Sequence, residues 1–303
     1  MILVRLVKRN ILVYTRDRAN IFFSLLSMLI IIGLMAIFLG NMNADNLVNL
    51  LKQYGGERDA AKDLANAKQL VMMWTLSGIV VVNAVTITLA MVGIMVEDED
   101  QKKLMSFYIA PVNRALFVMG YVIAAIIMGV IMCLLTVILG ELYLCVTGGL
   151  LLTIAQLGKI LPLILLIVFM AACMVFFITN FVHSTSSFSG LSTLVGTLVG
   201  FLAAIYLPMG MLPANIQTVL KCFPLLHGCS LMREVFTEQA LTATFTNCPK
   251  ELMDGYKEYM GMTLSWGGQV VDNRIKVAFL LISGIIFVLI SALIQKRRNT
   301  VYR

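Results

Sequence analysis

The sequence predicts an all-α membrane protein with six transmembrane helices, and three observations carry that prediction. The chain of 303 residues is 60% hydrophobic and only 13% charged, whereas soluble domains are roughly half apolar and a quarter charged. Six apolar runs, at about 21–40, 71–96, 115–139, 160–182, 189–207 and 277–294, match the roughly 20 residues that a bilayer core requires. Basic residues flank the outermost runs: Arg5, Lys8, Arg9, Arg16 and Arg18 precede the first, and Lys296, Arg297, Arg298 and Arg303 follow the last. An even number of spans with basic flanks puts both termini on the cytoplasmic side of the cell membrane. Residues 1–303 then form one membrane domain, with the loops at about 41–70 and 208–276 outside.

The segment before the first run, ILVRLVKRNILVYTRDR, reads as an amphipathic interfacial helix over residues 1–20. Leu3, Leu6, Val7, Val13 and Tyr14 recur at helical spacing, while Arg5, Lys8, Arg9 and Arg16 carry the charge. Such a helix lies with its apolar side in lipid and its basic side toward headgroups; a plain positive-inside anchor is the alternative. The first run is expected to be a retained span, because it is long, follows a basic helix and has no A-x-A site after Gly40. Glu141 sits at the outer end of the third span, where a carboxylate reaches headgroups or water. Pro162 stands near the start of the fourth, where a first helical turn tolerates it.

Between the second and third spans lies a polar island, MVEDEDQKKLMSFYIAPVNR. Leu104, Phe107 and Tyr108 fall at i, i+3 and i+4, on one face of a short cytoplasmic helix. The acids Glu97 to Asp100 are expected at its amino end, where the helix dipole favours negative charge. Pro111 ends the helix and Asn113 can cap the next. An exposed helix with an apolar-aromatic face reads as a docking element; a helix resting on lipid is the alternative, against which the acidic start argues on an anionic leaflet.

The fifth span carries Ser192, Gly196, Gly200 and Ala204, each four apart. Such a stripe of small residues lets helices approach closely, either within the subunit or near a dimer axis. After it, Pro208, Pro213 and Pro224 fall within seventeen residues and rule out a continuous span. Non-helical backbone at membrane depth is buried in protein or lines water, so this stretch reads as a re-entrant outer gate, with an external loop as the alternative. Cys133, Cys145 and Cys173 lie in apolar runs and act as small hydrophobes, whereas Cys222, Cys229 and Cys248 lie in the last long loop, where one pair is open to oxidation.

Several functions are excluded. The net charge of +7 sits beside apolar spans, which points to anionic lipid as partner and not to nucleic acid. There is no G-x-x-x-x-G-K-[ST], H-E-x-x-H or G-x-S-x-G, no C-x-x-C metal spacing and no pair of acids inside a span. No catalytic residue, metal site or cofactor is expected on this chain.

Three stretches resemble the permeases of type-2 ABC exporters, similar in form to the G-type ABC transporters: RNILVYTRDRANIFFSLLSMLI, EDEDQKKLMSFYIAPVNRALFVMGYVIA and YLPMGMLPANIQTVLKCFPLLHGCSLMREVF. The resemblance implies that the polar island is a coupling helix seated in a separate ATPase, through Glu97, Glu99, Lys102, Leu104, Phe107, Tyr108 and Arg114. This chain departs from the family pattern in carrying Gln101-Lys102-Lys103 where Gly-Thr is common. The resemblance also implies that spans two and five line the path. The candidates are Asn83 and Thr86, three apart on one face, and Ser192, Thr193 and Thr197. ATP and Mg²⁺ would be held by the partner ATPase, and the permease would dimerise with itself or with a similar chain. The fragment Leu264-Ser265-Trp266-Gly267-Gly268-Gln269 resembles the ABC ATPase signature, but Trp266 interrupts it. Sizeable outer segments favour export of an amphiphilic drug, lipid or peptide. The alternatives are a polysaccharide or lipid-linked glycan exporter, an ion-gradient-driven carrier, and a non-transporting scaffold or immunity protein.

Overall fold

The computed structural model describes residues 2–19, 21–22, 26, 29–30, 33, 40–54, 59–103 and 114–301. The expected first span and the short helix at 104–113 therefore fall largely or wholly outside the described residues. The described chain is helical nearly throughout. Its helices are α1 (Ile2–Arg16), α2 (Gly40–Tyr54), α3 (Ala60–Asp100), α4 (Arg114–Thr147), α5 (Ile154–Thr179), α6 (Thr185–Leu202), α7 (Ala214–Lys221), α8 (Pro224–Thr244), α9 (Lys250–Tyr259) and α10 (Asn273–Val301).

Five of these, α3, α4, α5, α6 and α10, are long and apolar enough to cross a membrane. Ile131, Ile138 and Leu142 of α4, and Ile282, Leu289 and Leu293 of α10, stand exposed on the outside of the bundle. In water such continuous apolar faces would drive aggregation, whereas in lipid they are matched to the solvent. The chain is a multi-pass membrane protein.

Central to the bundle is α3, which packs against α1, α2, α4, α5, α6 and α8. It has 41 residues, about 61 Å at 1.5 Å per residue, and so outruns a hydrocarbon core of about 30 Å. Both overhangs are polar. At one end Asp59 caps the helix by accepting from the amides of Ala61 (3.0 Å) and Lys62 (3.4 Å), and Asp63 in the first turn suits the dipole. At the other end stand Glu97 to Asp100.

The described part of the segment at 41–70, expected as an external loop, consists of α2 and the first turns of α3. Ala44, Leu47, Val48 and Leu51 recur at helical spacing and bury against Leu70, Trp74, Phe245 and Met262. This second apolar core holds an end lobe to the bundle.

The fourth and fifth spans also shift from expectation. A capping box of Thr153 and Gln156 starts α5 at Ile154, so Pro162 lies two turns inside the helix and removes one backbone hydrogen bond there. The Ser184 side chain accepts from Ser187 N–H and starts α6 at Thr185. The helix stops at Leu202, and Ala204 adopts a left-handed φ of 50°. Ala204 therefore lies in the turn beyond α6 and does not extend the small-residue stripe.

Each proline of the following stretch opens a helix. Pro208 precedes the short 3-10 turn Met209–Met211, Pro213 precedes α7, and Pro224 is the first residue of α8. The 21-residue α8 packs against α3, α5 and α10. It carries Cys229 into the core, so that residue is buried and not in a loop. All six cysteines are free thiols.

Candidate coupling and translocation site

The four acids of the polar island form the last turn of α3 and not the first turn of a separate helix. No glycine or proline interrupts the run, so the helix continues through it. At a carboxyl end the dipole opposes negative charge, and each carboxylate is answered by its own partner. Asp98 is almost wholly buried and receives a forked pair from Arg9: Nη1 meets Oδ2, and Nη2 donates to Oδ1 at 2.9 Å. Tyr121 of α4 donates its hydroxyl to Asp98 Oδ2 at 2.7 Å, and Lys103 Nζ stands 3.7 Å from Oδ1. The hydrogen bond to Asp98 holds the Arg9 guanidinium above its ordinary pKa, against the opposing effect of its partial burial.

The other acids face different elements. Glu97 accepts from Gln101 Nε2 at 2.9 Å, with Lys103 Nζ at 3.9 Å. Glu99 Oε1 lies 3.3 Å from His183 Nδ1, in the turn between α5 and α6. Asp100 Oδ2 accepts from the Thr185 amide (3.1 Å) and hydroxyl (2.6 Å), so the last residue of α3 caps the first residue of α6. One acidic turn thereby ties α3 to α1, α4 and α6 at a single end of the bundle. Lys102, exposed and with a φ of 57°, ends the helix.

Of the other docking candidates, Leu104, Phe107 and Tyr108 lie outside the described residues. Arg114 is the first residue of α4. The reading of α1 needs a correction. Arg9 does not face headgroups; it turns inward to Asp98, and Asn10 and Tyr14 of the same helix are buried against protein. Leu6 packs over Gly120 of α4, where a Cβ would meet it at 2.9 Å.

Beside the acidic turn, a cavity of about 590 Å³ opens between α3 and α6. Thr86, Gly93 and Glu97 line it from α3, and Phe188, Ser192 and Gly196 from α6. Tyr14 and Asp17 close it from the α1 side. Phe188 lies flush on Gly93, where a Cβ would stand 2.5 Å from its ring. The structure therefore brings Thr86, Ser192 and Gly196 together.

It separates the rest. Asn83, one turn away on α3, is buried and meets α4 instead, with Nδ2 donating to Thr136 Oγ1 at 2.8 Å. Thr193 and Thr197 are on the exposed side of α6, their hydroxyls returned to the carbonyls of Ser189 (3.0 Å) and Thr193 (2.6 Å). Gly196 has open space where a Cβ would stand, whereas the Tyr206 ring fills the place beside Gly200. The stripe is packed at one end and bare at the other.

The far end of the bundle is organised by residues to which the sequence reading gave no role. Arg233 of α8 is fully buried, and its guanidinium lies 4.3 Å from the centre of the Trp74 ring. It donates to the carbonyls of Ala204 (2.7 Å), Ala203 (3.2 Å), Met260 (3.3 Å) and Gly261 (3.4 Å). These are the carboxyl ends of α6 and α9, where a cation is favoured. Trp74 Nε1 donates to the same Met260 carbonyl at 2.8 Å. Nearby, the buried Lys276 ammonium donates to Ser230 Oγ (2.9 Å) and Glu234 Oε1 (3.0 Å). The fragment resembling an ATPase signature is a two-residue hairpin. Strands Ser265–Trp266 and Gln269–Val270 flank Gly267 and Gly268, both at positive φ as a type I′ turn requires.

Comparison with known proteins adds a family. No curated protein matches the chain. A family model described as "ABC-2 family transporter protein" matches residues 58–293, from just before α3 into α10. That match takes in most of the chain, including the acidic turn, the cavity and the Arg233 cluster, and the chain belongs to the ABC-2 transporter family: it is a membrane permease subunit of an ABC transporter, a transport component whose family partners an ABC ATPase subunit.

Proposed function

We propose that this permease exports an amphiphilic cargo, using ATP and Mg²⁺ bound by a partner chain. The observation that carries the reading is the cavity between α3 and α6. Its lining mixes apolar side chains, Leu89, Ile94 and Phe188 among them, with polar ones such as Thr86, Ser192 and Glu97. Drug-sized ligands occupy clefts of about 300–1,000 Å³ with this mixture of surfaces. A second permease, identical or similar, would cover the bare face of α6 at Thr193, Gly196 and Thr197. The end bearing α1 and the acidic turn is cytoplasmic, and the segment that follows, with Leu104, Phe107 and Tyr108, docks on the ATPase. The α7–α8 stretch opened by Pro213 and Pro224 closes the outer exit.

ATP-driven rearrangement of the docked segment would pull on the acidic turn directly, since Lys102 and Lys103 join the two. The turn's ties to α1, α4 and α6 pass that displacement to the cavity. Such coupling requires contacts that differ between two states. The exposed Glu99–His183 and Asp100–Thr185 contacts are suited to breaking and remaking. Reconstitution with the cognate ATPase in inside-out proteoliposomes tests this: a fluorescent amphiphile should accumulate only with ATP and only with an ATPase whose phosphate-binding lysine is intact. Uptake that survives that mutation but collapses with a protonophore would instead indicate a gradient-driven carrier.

A further inference from the structure

The small hairpin Ser265–Val270 stands at the Arg233 end of the bundle with its apolar side chains uncovered. We propose that it is a lipid anchor, with Trp266 and Val270 seated among the headgroups and upper acyl chains of the leaflet at that end. The proposal needs only that the chain spans a bilayer, and it stands whether or not the cavity between α3 and α6 carries cargo. The hairpin is rooted at the membrane boundary from two sides. After it, α10 begins at Asn273, and Ile275 in the first turn of that span is already exposed. Before it, Leu264 is buried in one cluster with Ala204, just past the end of α6, and with Leu220 of α7. The Val271 amide donates to the Leu264 carbonyl at 2.8 Å and closes the neck of the hairpin. Because α6 and α10 both cross the membrane, their ends hold this neck where hydrocarbon gives way to headgroups.

At that level the exposed side chains suit lipid and not water. The strands pair Ser265 with Val270 and Trp266 with Gln269, so Trp266 and Val270 leave the hairpin by opposite faces. Trp266 is 54% exposed and Val270 70%. Packing against one flat surface would shelter only one of them, whereas a tip that enters lipid is surrounded. No residue from Leu264 to Val271 is charged. In contrast, α9 of the same end lobe carries Lys250, Glu251, Asp254, Lys257 and Glu258 within ten residues, the composition of a helix that faces water. Tryptophan favours the bilayer interface because its ring is apolar while its N–H seeks a polar partner. The neighbouring α7 extends the same surface. Leu220 is its one buried residue and Lys221 its one charge, while Ile216 and Val219 stand exposed. Protein packing stabilises most short helices, and here lipid supplies the missing cover. The occupant is lipid because this surface runs on into the exposed apolar face of α10 at Ile275 and Ile282.

The chain has two tryptophans, and Trp74 is buried in the protein. Subtracting the emission of Trp266→Phe from that of the parent therefore isolates Trp266. The full-length chain is reconstituted in nanodiscs of phosphatidylcholine, and in nanodiscs of phosphatidylcholine brominated near the headgroup end of its acyl chains. The isolated emission should lie to the blue of tryptophan in water, lose at least half of its intensity in the brominated discs, and resist iodide added to the buffer. Red emission that iodide quenches and bromine leaves untouched overturns the proposal. Emission shielded from both quenchers overturns it too, because it puts Trp266 against protein, as in contact with a second copy of the chain. Should Trp266→Phe fail to fold, a nitroxide attached through Val270→Cys in a cysteine-free chain gives an independent reading. Dissolved oxygen, which concentrates in lipid, should relax that label more strongly than a water-soluble nickel chelate. The reverse order overturns the proposal.

Discussion

Arg9 and Asp98, 89 residues apart, form a forked ion pair that fastens the amino-terminal helix to the end of α3. Asp98 is almost wholly buried while Arg9 retains about a third of its exposure. The Tyr121 hydroxyl adds α4 to the same carboxylate. Three helices thus converge on one side chain at the end of the bundle where the polar island begins.

Removing either partner leaves the other without its counter-charge. Asp98→Asn or Arg9→Gln should each cost about 1.5–3 kcal/mol, the range for hydrogen bonds to charged groups. The figure stays below the 3–5 kcal/mol of a fully buried pair because water reaches Arg9. A double-mutant cycle on thermal unfolding in detergent should show the two changes to be strongly non-additive; additive losses would mean that the pair contributes nothing as a pair.

Asp100 holds the first turn of α6 as a cap supplied from another helix. Asp100→Ala should lower the thermal midpoint slightly, as loss of an exposed cap does. Amide exchange at Thr185 should speed up while the centre of α3 stays protected. Unchanged exchange there would show that the Asp100–Thr185 contact does not secure the amino end of α6.

Asn83 and Thr86 should part company on mutation. Asn83→Ala and Thr136→Val each remove one interhelical hydrogen bond and should lower stability by about 0.6 kcal/mol, with 1.7 as an upper bound in membrane proteins. Their effects should not add. Thr86→Val keeps the shape, leaves stability unchanged and changes transport kinetics, because its hydroxyl lines the cavity. Equal thermal midpoints for Asn83→Ala and the parent chain would contradict the structural role given to Asn83.

Arg233 combines a buried charge, four carbonyl acceptors and the Trp74 ring. Arg233→Ala should destabilise the chain by about 3–5 kcal/mol, since it leaves the helix ends of α6 and α9 unpaired. Arg233→Lys should recover only part of this, because an ammonium has no planar fork to reach both sets of carbonyls. Full stability in the lysine variant would reduce Arg233 to a point charge.

Much of this architecture is legible in the sequence. Length and hydropathy locate α3, α4, α5, α6 and α10, since lipid demands long apolar helices and little else imitates them. Proline placement marks the starts of α7 and α8. A search for twenty-residue apolar runs passes over α2, although Ala44, Leu47, Val48 and Leu51 spell out an amphipathic face. Capping chemistry rather than hydropathy sets the true starts of α3 and α5, through Asp59 and Thr153.

The site is less legible, because it is made of pairings distant in sequence. Four consecutive acids give no hint of which one turns inward, and Arg9 looks like any interfacial cation until Asp98 is placed beneath it. Spacing puts Asn83 and Thr86 near one face of α3, but it does not say which neighbour each side chain meets: Asn83 reaches Thr136 of α4, whereas Thr86 lines the cavity. Arg233 stood in a motif already noticed, yet its four acceptors are backbone carbonyls, which leave no trace in side-chain identity.

The account turns on one end of the bundle being cytoplasmic and gripping an ATPase. Lys102, exposed at the end of α3, can be changed to cysteine in a cysteine-free background and challenged with a membrane-impermeant maleimide. The account predicts no labelling in intact cells, full labelling after permeabilisation, and protection or crosslinking when the ATPase is co-expressed. Labelling of Cys at that position in intact cells would put the acidic turn outside and contradict the account.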